Sequence, residues 1–529
     1  MGMPDFIKVF FVLAACTTET SSRRIRATSA GRAILLEVED VLGKEVRQHF
    51  DQRTFHLEDA LRHTFQSLPR NSRGAVGAPA ARYALHRLFV QLHGWQMKGL
   101  ELHGDDWHHS SPILALSGRI PKRLYDFVEG RLNTHGLDLH ELSVLGALLE
   151  HIVHVHNQDR LNITLQALEI QEETLDRKHA FDVMHAYLAT YVIGREEEDE
   201  EEAMKKRSVL EHVRLIDKGL YPRWLEAKKL LVKASDDLVP GASSFALQTI
   251  LTVLEVVADQ IFHLENDECS AMRQRLVQME DQEGSGRVSL GNFYRSNLQG
   301  NFANSFTESE SYLLKAGALI ETNGHKRVLI PNYLLLNSNC LGTSGYYAVC
   351  CIDECEDLMD HVESSIRAPT ATPTELFEVI SNMAATRNQT LTTELKDLLE
   401  DVARRHGGEV ALHGRLFAQW LHHVYPRTCP FPHEAGIAED DKEQPLEVTR
   451  DEMVKLAGAE ENLSKERSRG LDLGMWSDNE ALVDPDAHQA RHQPSKYFPT
   501  TVMIIGTIVG CAVTLAKITP ETGARNKFD

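Results

Sequence analysis

From Thr500 to Ala516 the chain runs 17 residues without a charge, and that run constrains the rest of the molecule more than any other stretch. A bilayer core offers the backbone no water, so a segment crossing it has to be a helix of roughly 20 apolar residues. Val502, Met503, Ile504, Ile505, Ile508, Val509, Val513 and Leu515 supply the apolar surface, and Tyr497, Phe498 and Pro499 extend it at one interface. Gly506 and Gly510 make a Gly-x-x-x-Gly pair, which lets two such helices approach closely and points to a homodimer through that face. Lys517, Arg525 and Lys527 then fit a short basic cytosolic tail over 517–529. A GPI signal fits less well, because it would end in the apolar run. Everything before the span therefore faces a non-cytosolic space, and a single-pass type I protein of the secretory pathway or cell surface is expected.

The opposite end agrees. Val9–Ala15 is a short apolar run after Lys8, and Ala14-x-Cys16 offers small residues for cleavage, so residues 1–16 read as a signal peptide. Thr20–Leu36 holds four arginines and no acid, as transit peptides do, which keeps an organelle membrane open. Leaving out Cys16 and Cys511, six cysteines remain on the lumenal side: Cys269, Cys340, Cys350, Cys351, Cys355 and Cys429. An even number in an oxidising compartment suits up to three disulfides, and six cysteines allow fifteen connectivities. Asn162, Asn388 and Asn462 each begin a glycosylation sequon. The net charge of −21, from 77 acidic and 56 basic side chains, argues against a nucleic-acid partner, which asks for a basic face.

Hydrophobic periodicity makes the chain mainly α. Residues 33–192 read as a helical domain, with Leu142, Leu145, Leu148, Leu149 and Ile152 at helical spacing. An acidic linker is expected over 193–207, containing the run Glu196–Glu202. Residues 208–434 read as a helical and cysteine-bearing α+β part. Leu247, Leu251, Leu254, Val257, Ile261 and Leu264 carry one stripe there, and a helix is expected over Leu395–Arg405. Val328–Pro331 and Tyr346–Cys350 are its best strand candidates. Residues 435–499 are polar, acidic and aperiodic, as a flexible stalk would be. No internal repeat is visible.

The sharpest local signal lies at 281–292. An EF-hand loop needs oxygen ligands at positions 1, 3, 5, 7 and 9, glycine at 6, an apolar residue at 8 and glutamate at 12. Asp281, Glu283, Ser285, the Arg287 carbonyl and Ser289 fall at the ligand positions, with Gly286 at the turn and Val288 at the strand. Asn292 replaces the closing glutamate, removing a charge and one or two oxygens. The expectation is a degenerate EF-hand-like helix–loop–helix with weak calcium binding at most and no obvious partner loop. This stretch, with Ile330-Pro331-Asn332-Tyr333, Tyr346-Tyr347-Ala348-Val349-Cys350-Cys351, Glu354-Cys355-Glu356, His413-Gly414-Arg415-Leu416-Phe417-Ala418-Gln419-Trp420 and Cys429-Pro430-Phe431-Pro432-His433, resembles an uncharacterised family of predicted EF-hand-containing, single-pass membrane proteins of protists. The resemblance runs from Leu92-His93-Gly94-Trp95 to His433. It implies those boundaries and no activity.

Histidine is abundant, at 26 residues, with His151, His154 and His156 close together on one helix. Cys350, Cys351, Cys355, Cys429 and His433, beside His422 and His423, offer ligands of the kind zinc takes. The chain has no Gly-x-Ser-x-Gly, Walker, Gly-x-Gly-x-x-Gly or His-Glu-x-x-His motif. The reading is therefore a membrane-anchored lumenal or extracellular interaction or sensing protein with an unidentified protein partner. The alternative is a lumenal Cys/His-dependent enzyme or zinc-binding protein drawing on Cys340–His433.

Overall fold

The computed structural model describes residues 47–100, 122–194, 202–298, 306–322, 324–341, 346–386, 391–432, 447–459, 474–481 and 483. The expected signal peptide, membrane span and tail lie outside the described residues, as do Asn388, Asn462 and His433. What is described is mainly helical, with small sheets of two or three strands.

One motif recurs: a helix, a short loop, a strand of one to three residues, and another helix, paired antiparallel with a second such unit or, in one case, with a β-hairpin between two helices. In the first pair, α1 (Arg47–Ser67) leads through Val76 to α2 (Ala78–His93), and α3 (Lys122–Thr134) leads through Leu137 to α4 (Leu139–Ala167). Val76 and Leu137 form the bridge between them. In the second, α4 runs through β2 (Thr174–Asp176) to α5 (Arg177–Ile193). Its partner runs from α7 (Trp224–Leu238) through β3 (Ser244–Ala246) to α8 (Leu247–Gln278), with Leu175 opposite Phe245. In the third, α8 runs through β4 (Arg287–Ser289) to α9 (Leu290–Leu298). Facing it, α10 (Glu310–Lys315) runs through a hairpin of β5 (Leu319–Thr322) and β6 (His325–Leu329) to α11 (Ile330–Leu334). In the fourth, α12 (Cys355–Ile366), β8 (Thr370–Ala371) and α13 (Pro373–Thr386) face α14 (Thr393–Arg405), β9 (Val410–Ala411) and α15 (Arg415–Val424).

The sequence explains why helices start where they do. In four units the apolar strand residue is followed at once by a side chain that caps the next helix: Leu137-Asp138, Leu175-Asp176, Val288-Ser289 and Ala371-Thr372. Asp138 and Glu141 form a reciprocal capping box, as do Thr372 and Glu375, while Asp176 accepts from the His179 amide and Ser289 from that of Asn292. Each cap satisfies amides the helix leaves unpaired, a contribution of about 1 kcal/mol. So a repeat exists where none was expected from the residues. It is a repeat of geometry, carried by one apolar residue and one cap.

Three apolar cores result. The first gathers α1 to α8 together with β1 (Trp95–Met97) and β7 (Tyr347–Val349), which pair antiparallel. The second gathers the end of α8, α9 to α11 and α16 (Arg450–Ala459) around Phe293, Phe306 and Tyr333. The third belongs to α12–α15, where Trp420 is fully buried and donates its indole N–H to the Leu395 carbonyl at 2.8 Å. α8 is long and apolar enough to cross a membrane by length and composition, but Ile250, Leu254, Val257 and Ile261 sit in the first core.

Several sequence expectations change here. The linker expected over 193–207 includes the start of α6 (Glu202–Asp217), which packs on α4 and α5. The stalk expected over 435–499 contains α16, whose Met453 and Ala457 are buried against α9. It also contains residues 474–481 and Val483, where Ser477 exchanges two hydrogen bonds with the Gln419 side chain and Val483 enters the first core. A polar, acidic composition hides these contacts because they need few apolar residues each.

Gly94 ends α2 with φ at +66°, and a Cβ there would overlap the Phe262 ring of α8. Gly94→Ala should therefore lower stability by about 2–4 kcal/mol, from backbone strain plus overpacking. Urea unfolding of the variant against the natural protein measures it.

Candidate functional site

Two segments distant in the chain, Ile330–Asn332 and Pro426–Phe431, come together at the loop over 280–292. The loop forms as the spacing suggests, with helix, turn, short strand and helix in order, but its interior is filled by protein. Glu280, one residue ahead of the expected ligands, turns its carboxylate inward and is almost wholly buried. Its two oxygens accept from the Gly284 and Gly286 amides, each at 2.9 Å, and form a two-point ion pair with Arg427 at 2.9 and 2.5 Å. Two-point guanidinium–carboxylate contact fixes orientation as well as charge. Gly286 has φ at +67°, and a Cβ on it would strike the Pro426 carbonyl. Only glycine lets the 426–427 segment lie this close. One step further, the Asn332 amide group reads the Phe431 backbone twice, both bonds at 2.8 Å.

The expected calcium ligands are engaged elsewhere. Asp281 accepts from the Ser289 amide at 2.9 Å and pairs with Arg327 at 3.3 Å. Ser285 bonds back to Arg287, and the Arg287 carbonyl accepts from the Asp281 amide. Ser289 caps α9, and the Asn292 side-chain oxygen accepts from Arg295 at 2.7 Å. Glu283 is exposed. Calcium takes six to eight oxygens. This set lacks the closing carboxylate, Arg327 pairs with its Asp281, and Arg427 pairs with Glu280 just ahead of it. The residues do not fit a calcium ion. A partner unit, however, is present: Val288 pairs with Val328 on β6. The hairpin that replaces a second loop explains why no partner was visible in the sequence.

The cysteines pair as Cys269–Cys351, Cys340–Cys350 and Cys355–Cys429. The adjacent Cys350 and Cys351 reach in different directions, one back to the segment after α11 and one to α8. Sequence separations of 82 and 74 give the two long links about 4–5 kcal/mol each in a chain-entropy account, and the short one about 3. With Cys355 and Cys429 joined, neither offers the thiolate that a zinc site or a cysteine nucleophile needs. The candidate histidines have their own work. His154 contacts Glu255 at 2.6 Å, His156 lies against the Tyr346 ring, and the buried His422 bonds the Cys429 carbonyl at 2.8 Å. Burial pushes His422 down to about 3, so it is neutral. Asn162 is exposed on α4.

Two ionic centres escaped the sequence reading. His93 stacks on Trp95 and bridges Glu150 on α4, at 3.2 Å, and Asp259 on α8, at 3.4 Å, while Arg53 also holds Glu150. Burial opposes a charge on His93, but the two carboxylates outweigh it and raise the group to about 9. The second centre lies between α2 and α12. Arg87 pairs with Glu363 at 2.5 Å and with Glu356, and Tyr83 donates to Glu363 at 3.0 Å. His413 meets the same carboxylate at 3.0 Å. Burial would raise Glu363, yet Arg87 and His413 hold it at about 2. The motif histidines at 93 and 413 were the available signal; their partners lie too far along the chain to be read.

No protein-family model, curated protein or solved structure matches this chain.

Two outcomes follow from these geometries. Replacing Arg427 with Met leaves the buried Glu280 carboxylate without its cation, so urea unfolding should show a loss of about 2 kcal/mol. The same change in a Glu280→Gln background should cost at least about 1 kcal/mol less, the signature of direct coupling. For His93, a raised value means stability that is complete below its ordinary 6.5 and is lost as pH rises through about 9. The thermal midpoint should fall across that window, and His93→Gln should flatten the fall.

Proposed function

We propose that the chain is a membrane-anchored lumenal or extracellular interaction protein, built from EF-hand-like helix pairs that work as a metal-independent scaffold. The observation that carries this reading is the Glu280–Arg427 contact. It puts a protein cation where a calcium-regulated loop would need an open, oxygen-lined space, so the loop serves to dock the 426–432 segment. Support for the anchored topology comes from the uncharged run at 500–516, the paired cysteines and the exposed Asn162. The likeness to the protist family of EF-hand-containing membrane proteins supports the same arrangement. A protein partner and a homodimer through Gly506 and Gly510 belong to this reading.

Isothermal titration of the full-length protein with calcium tests the scaffold reading. No heat and no change in thermal midpoint up to millimolar calcium is the expected result. Saturable heat that disappears in Asp281→Asn would overturn it. For the anchor, alkaline carbonate washing of membranes should leave the intact protein in the pellet, and its release into the supernatant would remove the span.

A further inference from the structure

Residues 474–481, with Val483, cross the fourth helix pair as a strap that runs antiparallel to α15. Trp476 stacks on His423, with ring centroids 6.0 Å apart. One step on, the wholly buried Gln419 side chain donates to the Ser477 carbonyl at 2.9 Å and accepts from the Ser477 amide at 2.8 Å. Asp478 pairs at 2.7 Å with Arg405, at the end of α14. Glu480 spans two groups: one oxygen meets His406 at 2.7 Å, and the other accepts from the Leu416 amide at 3.1 Å. The Arg415 amide then donates to the Ala481 carbonyl at 3.0 Å, and its guanidinium to the Asn479 carbonyl at 3.3 Å. Finally the Val483 amide reaches the His413 carbonyl. α15 is preceded by Gly414, which has no side chain to cap it. The strap therefore satisfies two of the amides that a helix start leaves unpaired, and sets a carboxylate at that positive end.

Folded domains read a foreign peptide in the same way: main-chain groups are paired, an aromatic side chain is seated, and charges at fixed spacing are matched. We propose that the face made by Arg405, His406, Arg415, Gln419 and His423 is a docking surface for an extended acidic peptide of a partner protein, and that the strap covers it as a built-in competitor. The peptide carries an aromatic residue followed by carboxylates two and four positions on, as Trp476, Asp478 and Glu480 are spaced. Charge complementarity selects this occupant. In a chain of net charge −21, the face offers the Arg405 guanidinium, the His406 ring and a helix start to two carboxylates. The strap is held in a manner that permits exchange. Residues 474–481 form neither helix nor strand, and the Arg405–Asp478 pair is open to water, where such pairs contribute little. Its advantage over a free peptide is its attachment to the same chain, which acts as a local concentration of roughly millimolar. The proposal rests on the interaction-protein reading above and supplies the chemistry of the partner.

Fluorescence anisotropy with a labelled peptide copying residues 474–484, titrated with the full-length protein, tests the proposal. Two variants open the face: Glu480→Ala alone, and Glu480→Ala combined with Trp476→Ala and Asp478→Ala. Both should bind the peptide saturably, the triple variant more tightly, while the natural protein binds it about tenfold or more weakly because its own strap competes. Adding Gln419→Ala to either opened variant should weaken binding by a similar factor, since it removes the group that reads the peptide backbone. Two opened variants keep the test decisive if one does not fold. The docking surface is overturned by no binding to an opened variant that folds, by equal binding to the natural protein, by undiminished binding with Gln419→Ala, or by equal binding of a scrambled peptide. The titration uses neither calcium nor membranes, so its failure removes this surface and leaves the scaffold and the anchor to their own tests.

Discussion

Three apolar cores among the described residues are joined by helix packing, as where α12 lies on α1, and by hydrogen bonds, ion pairs and disulfides that fix how they meet. Arg87 with Glu356 and Glu363 ties the first core to the third. Arg427 with Glu280, and Asn332 with the Phe431 backbone, tie the second to the third. The first and second share a helix outright, since α8 begins in one and ends in the other. Apolar joints would be strong and indifferent to direction. Buried charge pairs are specific instead, because a mispaired arrangement strands a charge out of water. The disulfides then limit how far any joint can open.

The same logic gives the 426–432 segment its importance. It follows α15, carries Cys429 to α12, sends Arg427 into the loop after α8 and offers its backbone to Asn332. A short run of chain thus touches elements from two cores. The loop after α8, Asn332, Cys355 and the 426–432 segment all meet at that one junction.

The helices were legible in the sequence because each carries many periodic apolar residues. Leu395–Arg405 and the stripe from Leu247 to Leu264 appear as expected, as does the strand around Tyr347, whereas the strand expected over Val328–Pro331 ends at Leu329 and Ile330-Pro331 instead open α11. The helix pairs were not legible, because most of their strands contribute one buried apolar residue, too little to register as a period. At the loop, Asp281 to Asn292 were identified by spacing, yet the decisive residues are Glu280, one position outside the pattern, and Arg427, 147 positions away. A spacing rule describes ligands and says nothing about a distant side chain that displaces what they would bind. The cysteine count indicated pairing, but fifteen connectivities could not be reduced without the fold.

Because α4 closes the first pair and opens the second, and α8 closes the second and opens the third, there is no clean place to cut the array between those lobes. A fragment ending within either helix would leave one lobe with half its wall and the next with none. Recombinant pieces designed on a bead-and-string view of this protein would expose raw apolar faces and aggregate. An exon shuffle or protease nick at these helices would meet the same obstacle. The three linked lobes form one indivisible unit of inheritance and of production.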